Sequence, residues 1–299
     1  MGNAGGTKSR KPEPSVSVVI PHKGSRETLD RCLESVRNQT LDSSEYEVIV
    51  VINEARNTSA HYKHDGSDQV LWCEENFSYA ARNMGLSQSR GKIIAFIDSD
   101  ATAGPKWLSE GVRHIQRGSD MIAGEVELSF EKRPLTPAAC YEKLYAFDQK
   151  KNVAAGRAAT VNLFVRRDTL DSCGPFNEQA ASGEDFRWTS AATQAGHTLA
   201  FASTALVTHP ARETLHELRL KARRVSDGFF SGVSRDAPFP WSKLWATAVT
   251  TLVPSAGRRA SASLREKVLA HVVLAAVLST KMSFVVQALS VEKTRAGRG

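Results

Sequence analysis

Cysteine is scarce in this chain of 299 residues, and its four copies lie far apart at positions 32, 73, 140 and 173. No Cys-x-x-Cys pair occurs, which argues against both a zinc ribbon and a disulfide framework. Isolated thiols of this kind are typical of proteins that work under reducing conditions. We therefore expect a cytoplasmic location.

Long hydrophobic runs are missing as well. Residues 1–14 are polar, glycine-rich and basic and contain no apolar segment like that of a signal peptide, so we expect a disordered leader. Near the other end, the apolar stretch Leu264–Leu289 carries His271 and Lys281. Its longest charge-free part is shorter than the roughly 20 residues that cross a bilayer, which argues against a membrane-spanning helix.

Basic residues outnumber acidic ones, and the formal net charge is +7. Much of the excess lies in the leader and beyond residue 210, where Glu213–Val225 contains Arg219, Lys221, Arg223 and Arg224. Clustered basic residues suit an anionic partner such as a diphosphate, a lipid headgroup or a nucleic acid. A solvated basic surface accounts for the same pattern equally well.

Alternating strands and helices are predicted for the first hundred residues. Apolar runs at Val16–Ile20, Tyr46–Ile52 and Lys92–Ile97 predict buried strands. Apolar residues at helical spacing predict helices at Glu27–Gln39 and near Tyr79–Ser89. Strand, helix and strand in this order form a right-handed parallel crossover, so we expect an α/β fold with a Rossmann-like, mixed and mostly parallel sheet flanked by helices.

The middle of the chain continues the same sheet. Strand-like runs occur at Met121–Phe130, Thr160–Val165 and Leu199–Val207, and a helix over Pro137–Lys150 is predicted between the first two. We expect this α/β domain to span residues 15–225.

A helical C-terminal extension is predicted over residues 226–299. Two amphipathic helices are expected in it, one around Lys243–Leu252 and one from Ser263 onward. Such helices can pack on the domain, lie on a membrane surface or form a homodimer, and the sequence leaves these three possibilities open.

Three of the predicted strands end in polar residues. In an open α/β sheet the ligand crevice lies beyond the carboxyl ends of the strands. Pro21–Arg26, Asn53-Glu54 and Asp98–Asp100 should therefore face one pocket. Asp98 and Asp100 offer the oxygen ligands that Mg²⁺ and Mn²⁺ prefer, and His209 can complete a metal site with Asp100. A helix-capping turn is the alternative for the two aspartates.

A second acidic pair, Glu184-Asp185, precedes a helix-like run. Acids in the first turn of a helix are ordinary capping residues. The functional alternative is a carboxylate at the mouth of the pocket that takes a proton from an acceptor hydroxyl, and Asp185 is our candidate for it.

These motifs together resemble family 2 glycosyltransferases of the GT-A fold. The run from Val16 to Gln39 resembles the opening of that family, and Phe77–Gly85 followed by Gly91–Asp100 resembles its second block. Gly174–Glu178 with Gly183–Asp185 resembles the acceptor-side block, and the similarity covers about residues 15–210 in order.

The resemblance implies an inverting transferase that uses a nucleoside-diphosphate sugar donor, with a UDP-sugar as the default, and a saccharide or glycolipid acceptor. It implies Mn²⁺ or Mg²⁺ as cofactor, no nucleic-acid partner, and a location in the cytoplasm or at the cytoplasmic face of the membrane. The implied site has catalytic residues Asp185 and Glu184, metal ligands Asp100 and His209, and donor-binding residues Pro21, Lys23, Arg26, Asn53, Glu54, Arg82, Asp98 and Ser99.

One departure matters for the nucleotide. The family usually has an acidic pair after the second strand, whereas this chain has Asn53-Glu54. A catalytically inactive nucleotide-sugar-binding subunit is therefore the first alternative. A sugar nucleotidyltransferase is the second, although the turn Pro21–Arg26 holds one glycine where those enzymes usually need a glycine-rich phosphate loop.

Overall fold

The computed structural model describes residues 13–54, 68–75, 77–231, 254 and 256–296. Within them an eight-stranded mixed sheet has the order β3-β2-β1-β4-β7-β6-β8-β5. The strands are β1 (Val16–His22), β2 (Tyr46–Ile52), β3 (Gln69–Trp72), β4 (Ile93–Ile97), β5 (Thr102–Ala103), β6 (Met121–Ser129), β7 (Asn162–Arg166) and β8 (Leu199–Pro210). The helices are α1 (Arg26–Arg37), α2 (Ser78–Gln88), α3 (Trp107–Gln116), α4 (Pro137–Tyr145), α5 (Gln149–Ala154), α6 (Arg167–Cys173), α7 (Glu184–Gln194), α8 (Leu215–Ser231), α9 (Ala256–Ser261) and α10 (Leu264–Ala296).

The predicted mixed, mostly parallel sheet is confirmed. Strands β1, β2, β3 and β4 are parallel, as are β6 and β8, while β7 runs antiparallel to both of its neighbours, β4 and β6. The short strand β5 pairs antiparallel with β8 at the sheet edge. Because β1, β2 and β4 point the same way, their carboxyl ends open on one side of the sheet.

Helices cover both faces of the sheet and bury its β-branched residues. Apolar residues of α1 and α3 pack on one face, and those of α2 and α7 pack on the other. The approach of α2 is close, since a Cβ added at Gly85 would lie 2.5 Å from Val19 Cγ1. Gly85 therefore lets the helix lie directly on the first strand.

The prediction of a single helix over Pro137–Lys150 is wrong, because the chain forms two helices, α4 and α5, there. Thr136 caps the first, and the side chain of Asp148 accepts a hydrogen bond from the Lys151 N–H at the start of the second. The first helix ends where Ala146 adopts an extended backbone, and Phe147 follows with a φ of 48°, a left-handed conformation. Phe147 lines the cavity described below.

The C-terminal helix α10 packs on the α/β domain. Its residues Ala270, Val273, Leu274 and Val277 are buried against α4 and α8 in a third apolar cluster. Of the three possibilities left open by the sequence, this part of the extension therefore shows packing on the domain. The boundary that the sequence places at residue 225 lies within α8, which is continuous to Ser231.

Membrane association and homodimer formation by the extension stay predictions. The outward face of α10 carries exposed Leu264, Val268 and Val272. Both hypotheses need an exposed apolar surface of this kind. No helix in the described part of the chain is long and apolar enough to cross a membrane. The leader up to residue 12 and the predicted helix Lys243–Leu252 lie outside the described residues.

Candidate active site

A cavity of about 570 Å³ opens at the carboxyl ends of β1, β2 and β4. It brings together side chains that are far apart in sequence, as expected for the crevice of an α/β sheet. Nine of the twelve site residues predicted from the sequence line it: Pro21, Lys23, Asn53, Arg82, Asp98, Ser99, Asp100, Asp185 and His209.

Asp98, Asp100 and His209 form a cluster of possible metal ligands. One ligand atom from each residue lies within 4.8 Å of the others, and His209 Nε2 is 3.2 Å from Asp100 Oδ1. The other ring nitrogen, Nδ1, lies 2.8 Å from the carbonyl oxygen of Pro210. A histidine that donates Nδ1–H to a carbonyl presents the Nε2 lone pair, which is the usual arrangement of a metal-bound imidazole.

Strand pairing explains how residues so distant along the chain meet in this cluster. Asp98 and Asp100 follow β4 in a turn closed by a 3.0 Å bond from the Ala101 N–H to the Asp98 carbonyl. The chain then enters β5, where Thr102 pairs with Thr208 of β8. This register places Asp100 beside His209.

The charges of Asp100 and His209 depend on one another. Burial alone would lower the pKa of His209, but the hydrogen bond and charge of Asp100 outweigh it and raise that pKa. Burial would likewise raise the pKa of Asp100, and His209 together with Arg212 lowers it instead. Two oxygen ligands and an imidazole fit a divalent cation such as Mn²⁺, which would take the place of the shared proton.

Arg82 of α2 is held against the first aspartate of the cluster. Its guanidinium donates to Asp98 Oδ1 at 2.7 Å and to Ser78 Oγ at 2.9 Å. Only 6% of the side chain is exposed, and its Nε has no acceptor among the described residues. Arg82 thus brings a fixed positive charge to the floor of the cavity.

Asp185 lies on the first turn of α7, facing the same cavity. Its carboxylate accepts hydrogen bonds from Tyr79 Oη at 3.1 Å, from the Phe186 N–H at 3.0 Å and from the Thr160 N–H at 3.3 Å. The surrounding protein desolvates the group and raises its pKa, although Arg82 and the hydrogen bonds act in the opposite direction. A fixed carboxylate of raised pKa is suited to accept a proton.

Three predicted residues do not line the cavity. Glu184 is buried, accepts a 2.9 Å hydrogen bond from the Asn177 N–H and pairs with Arg187. Arg26 is exposed and pairs with Asp30 on α1 at 3.2 Å. Glu54 accepts a 3.1 Å hydrogen bond from the Gly24 N–H, so it braces the turn after β1.

The ends of the first two strands are held by hydrogen bonds. His22 Nδ1 lies 2.9 Å from Ser99 Oγ, joining β1 to the turn after β4. The side-chain amide of Asn53 donates to the carbonyl oxygens of Cys73 and Glu75 beyond β3. Asn53 therefore fixes the edge of the cavity as well as lining it.

The sequence did not predict a role for Glu142, a buried acid that binds two basic side chains of the segment after residue 210. Glu142 of α4 is fully buried, and its two oxygens accept from Arg212 at 3.2 Å and Lys221 at 3.1 Å. Burial would raise the pKa of Glu142, and the two cations lower it instead. Burial also lowers the pKa of Lys221 to about 8. No local pattern in the sequence distinguishes Glu142 from an ordinary helix-surface acid.

The basic residues predicted in this segment divide into two groups. Lys221 and Arg224 line the cavity with Arg212, whereas Arg219 and Arg223 do not. The ring of Phe147 contacts both His209 and Lys221. Its centroid lies 4.6 Å from the centroid of the His209 ring and 5.1 Å from Lys221 Nζ.

The fold and the similarity to known proteins identify a glycosyltransferase of the GT-A type. The glycosyl transferase family 2 profile matches residues 17–167, and the chain belongs to that family. Glycosyltransferase AglE of Haloferax volcanii is 39% identical over 225 residues, covering 72% of this chain and 73% of AglE. The putative glycosyltransferase EpsH of Bacillus subtilis is 30% identical over 171 residues, covering 53% of this chain and about half (49%) of EpsH.

Solved structures show the same fold. S. aureus TarS, residues 1–349 in complex with UDP-GlcNAc, has a TM-score of 0.54 and 17% identity over 89% of this chain and 81% of that one. The same TarS segment in complex with UDP has a TM-score of 0.51 and 20% identity over 72% of this chain and 66% of that one.

Proposed function

We propose that this protein is a metal-assisted, inverting glycosyltransferase that moves a sugar from a nucleoside-diphosphate sugar to an acceptor hydroxyl. The observation that carries the proposal is the sharing of one cavity by the Asp98, Asp100 and His209 cluster and by Asp185, a separate carboxylate of raised pKa. In this proposal the cluster acts near the leaving diphosphate and Asp185 acts near the acceptor.

Each group has a distinct part in this proposal. Asp98, Asp100 and His209 would hold Mn²⁺ or Mg²⁺, which would offset charge on the departing diphosphate. Arg82 adds a fixed positive charge beside that group. Asp185 takes the proton of the acceptor hydroxyl as its oxygen attacks the anomeric carbon. The bond from that carbon to the diphosphate oxygen breaks on the opposite face, so the configuration inverts.

A UDP-sugar is the first donor to test. The S. aureus TarS structures contain UDP and UDP-GlcNAc, which supports this choice for a chain with the same fold. The acceptor in this proposal is a saccharide or a glycolipid. Asn53 on the cavity wall offers an amide where the family usually has an acid, so UDP, GDP, ADP and TDP should be compared by thermal shift with Mn²⁺.

The decisive experiment compares the two neighbouring acids of α7. Nucleotide release from the donor that binds best is measured for the wild type, for Asp185→Asn and for Glu184→Gln. We expect Asp185→Asn to lose at least about a hundredfold in kcat while still binding nucleotide. Glu184→Gln should retain most activity, because that carboxylate bonds to Asn177 and Arg187 outside the cavity.

Two outcomes would contradict the proposal. Full activity of Asp185→Asn would show that another group accepts the proton. Nucleotide binding by the wild type without transfer or hydrolysis under any tested acceptor would favour the catalytically inactive binding subunit.

A further inference from the structure

The buried face of helix α10 reaches the cavity at Lys281. Val273 and Val277 are buried against the domain at a spacing of four residues, and Lys281 occupies the next position on the same face. Residues four apart lie above one another on a helix, so Lys281 follows the apolar stripe to its end. There its side chain lines the cavity that contains Asp100 and Asp185.

Lys281 has no anionic partner in the part of the chain that the structure describes. Lys143 and Lys221, in contrast, each contact a carboxylate, of Glu266 and Glu142 respectively. Desolvation lowers the pKa of Lys281, and no acid among the described residues acts against it. The side chain is half-buried, and an ammonium that is partly removed from water without a partner is disfavoured. A ligand anion in the cavity would supply the missing partner.

The wall around Lys281 is positively charged. Arg212, Lys221, Arg224 and Lys281 line the cavity from the β8 end, α8 and α10, and Glu142 is the carboxylate that two of them contact. The charge of Arg212 also helps to lower the pKa of Asp100, so this guanidinium lies near the proposed metal ligands. Several cations that share a cavity with a metal site suit the oxygens of phosphate groups.

We propose that Lys281 binds a phosphate oxygen of the ligand in this cavity, so that the C-terminal helix completes the anion-binding wall of the active site. The inference rests on the proposed function and extends it to a segment beyond residues 17–167, which the family profile matches. The phosphate has two possible sources, the leaving diphosphate of the donor and a phosphate group on the acceptor.

The test uses the full chain and three probes: uridine, UDP with Mn²⁺, and inorganic phosphate added to the protein saturated with UDP. The variants are Lys281→Gln, which removes the charge, and Lys281→Arg, which keeps it. Arg265→Gln is the matched control, because it removes one exposed positive charge from the same helix outside the cavity. Dissociation constants are measured by calorimetry, and thermal unfolding confirms that each variant is folded.

A donor source predicts that Lys281→Gln weakens UDP about tenfold and leaves uridine unchanged. An acceptor source predicts unchanged UDP and a loss of about tenfold for inorganic phosphate. In either case Lys281→Arg restores most of the affinity and Arg265→Gln has no effect.

Unchanged affinities for both UDP and phosphate in Lys281→Gln would overturn the inference while leaving the proposed function intact. A wild type that does not bind UDP but binds phosphate added alone would instead contradict the proposed donor, and the affinity of Lys281→Gln for phosphate added alone would then test Lys281. Binding of neither anion by the wild type would overturn both.

Discussion

Replacing Tyr79 with phenylalanine tests how Asp185 is tuned. Tyr79 Oη donates to Asp185 Oδ1 at 3.1 Å and accepts from the Glu184 N–H at 3.1 Å. Burial and the charge of Asp185 raise the pKa of Tyr79, so the phenol stays protonated and remains a donor throughout the working range. Because this bond favours the carboxylate form, it lowers the pKa of Asp185 against the larger effect of desolvation.

The size of the effect follows from the bond that is lost. A hydrogen bond to a charged group contributes about 1.5 kcal/mol at the lower end of its range, and about 1.4 kcal/mol corresponds to one pKa unit. We therefore expect Tyr79→Phe to raise the pKa of Asp185 by about one further unit. Since the proposed base, Asp185, would work as a carboxylate, the acidic limb of the pH–rate profile should move to higher pH by the same amount.

The assay is kcat/KM for sugar transfer as a function of pH, which reports the ionisation of groups in the free enzyme. On the acidic limb Tyr79→Phe should be about tenfold slower than the wild type, and the deficit should shrink as the pH rises. Tyr141→Phe is the control, because Tyr141 is also a buried tyrosine on the cavity wall but forms no hydrogen bond to Asp185 among the described residues. An acidic limb at the same pH in wild type and Tyr79→Phe would refute the reasoning.

Three further predictions concern the metal cluster, the buried acid and a close backbone contact. His209→Ala should raise the Mn²⁺ concentration for half-maximal activity by about tenfold or more, and an unchanged Mn²⁺ titration would argue against this ligand. Glu142→Gln should lower the free energy of unfolding in urea by about 3 kcal/mol, since Arg212 and Lys221 lose their buried partner; wild-type stability would contradict this. Gly228→Ala should lower the unfolding free energy by about 2 kcal/mol, because its Cβ would lie 2.4 Å from Ser182 O, whereas Ala at Gly257, with nothing within 4 Å, should change little.

Local patterns in the sequence predicted the first half of the fold well. The run Tyr46–Ile52 forms β2 with the predicted bounds, and Val16–Ile20 forms most of β1. Buried parallel strands are continuous apolar runs, and amphipathic helices repeat every three to four residues, so both signals are local. Asn53 and Asp98 line the same cavity, as predicted, because they follow parallel strands whose carboxyl ends lie at the same edge of the sheet.

Long-range features of the site were beyond such patterns. The break between α4 and α5 depends on an extended backbone at Ala146 and a left-handed one at Phe147, which no residue type there requires, before Asp148 caps α5. Glu142 is buried because two cations from α8 and the preceding segment cover it, which a single helix cannot reveal. The entry of Lys281 into the cavity depends on how α10 docks on α4 and α8. In sequence it looked like an interruption of an apolar stretch.

The two-residue strand β5 has a consequence for the order in which the site is assembled. Asp98 and Asp100 come from the first hundred residues, but His209 reaches them only after β8 has been added and has paired with β5. A nascent chain that has completed β1, β2 and β4 already carries the nucleotide-facing loops and lacks the imidazole. If the cluster binds a cation as proposed, its three ligands would be together only after β8 has paired with β5, so cation binding would report that this edge of the sheet has formed.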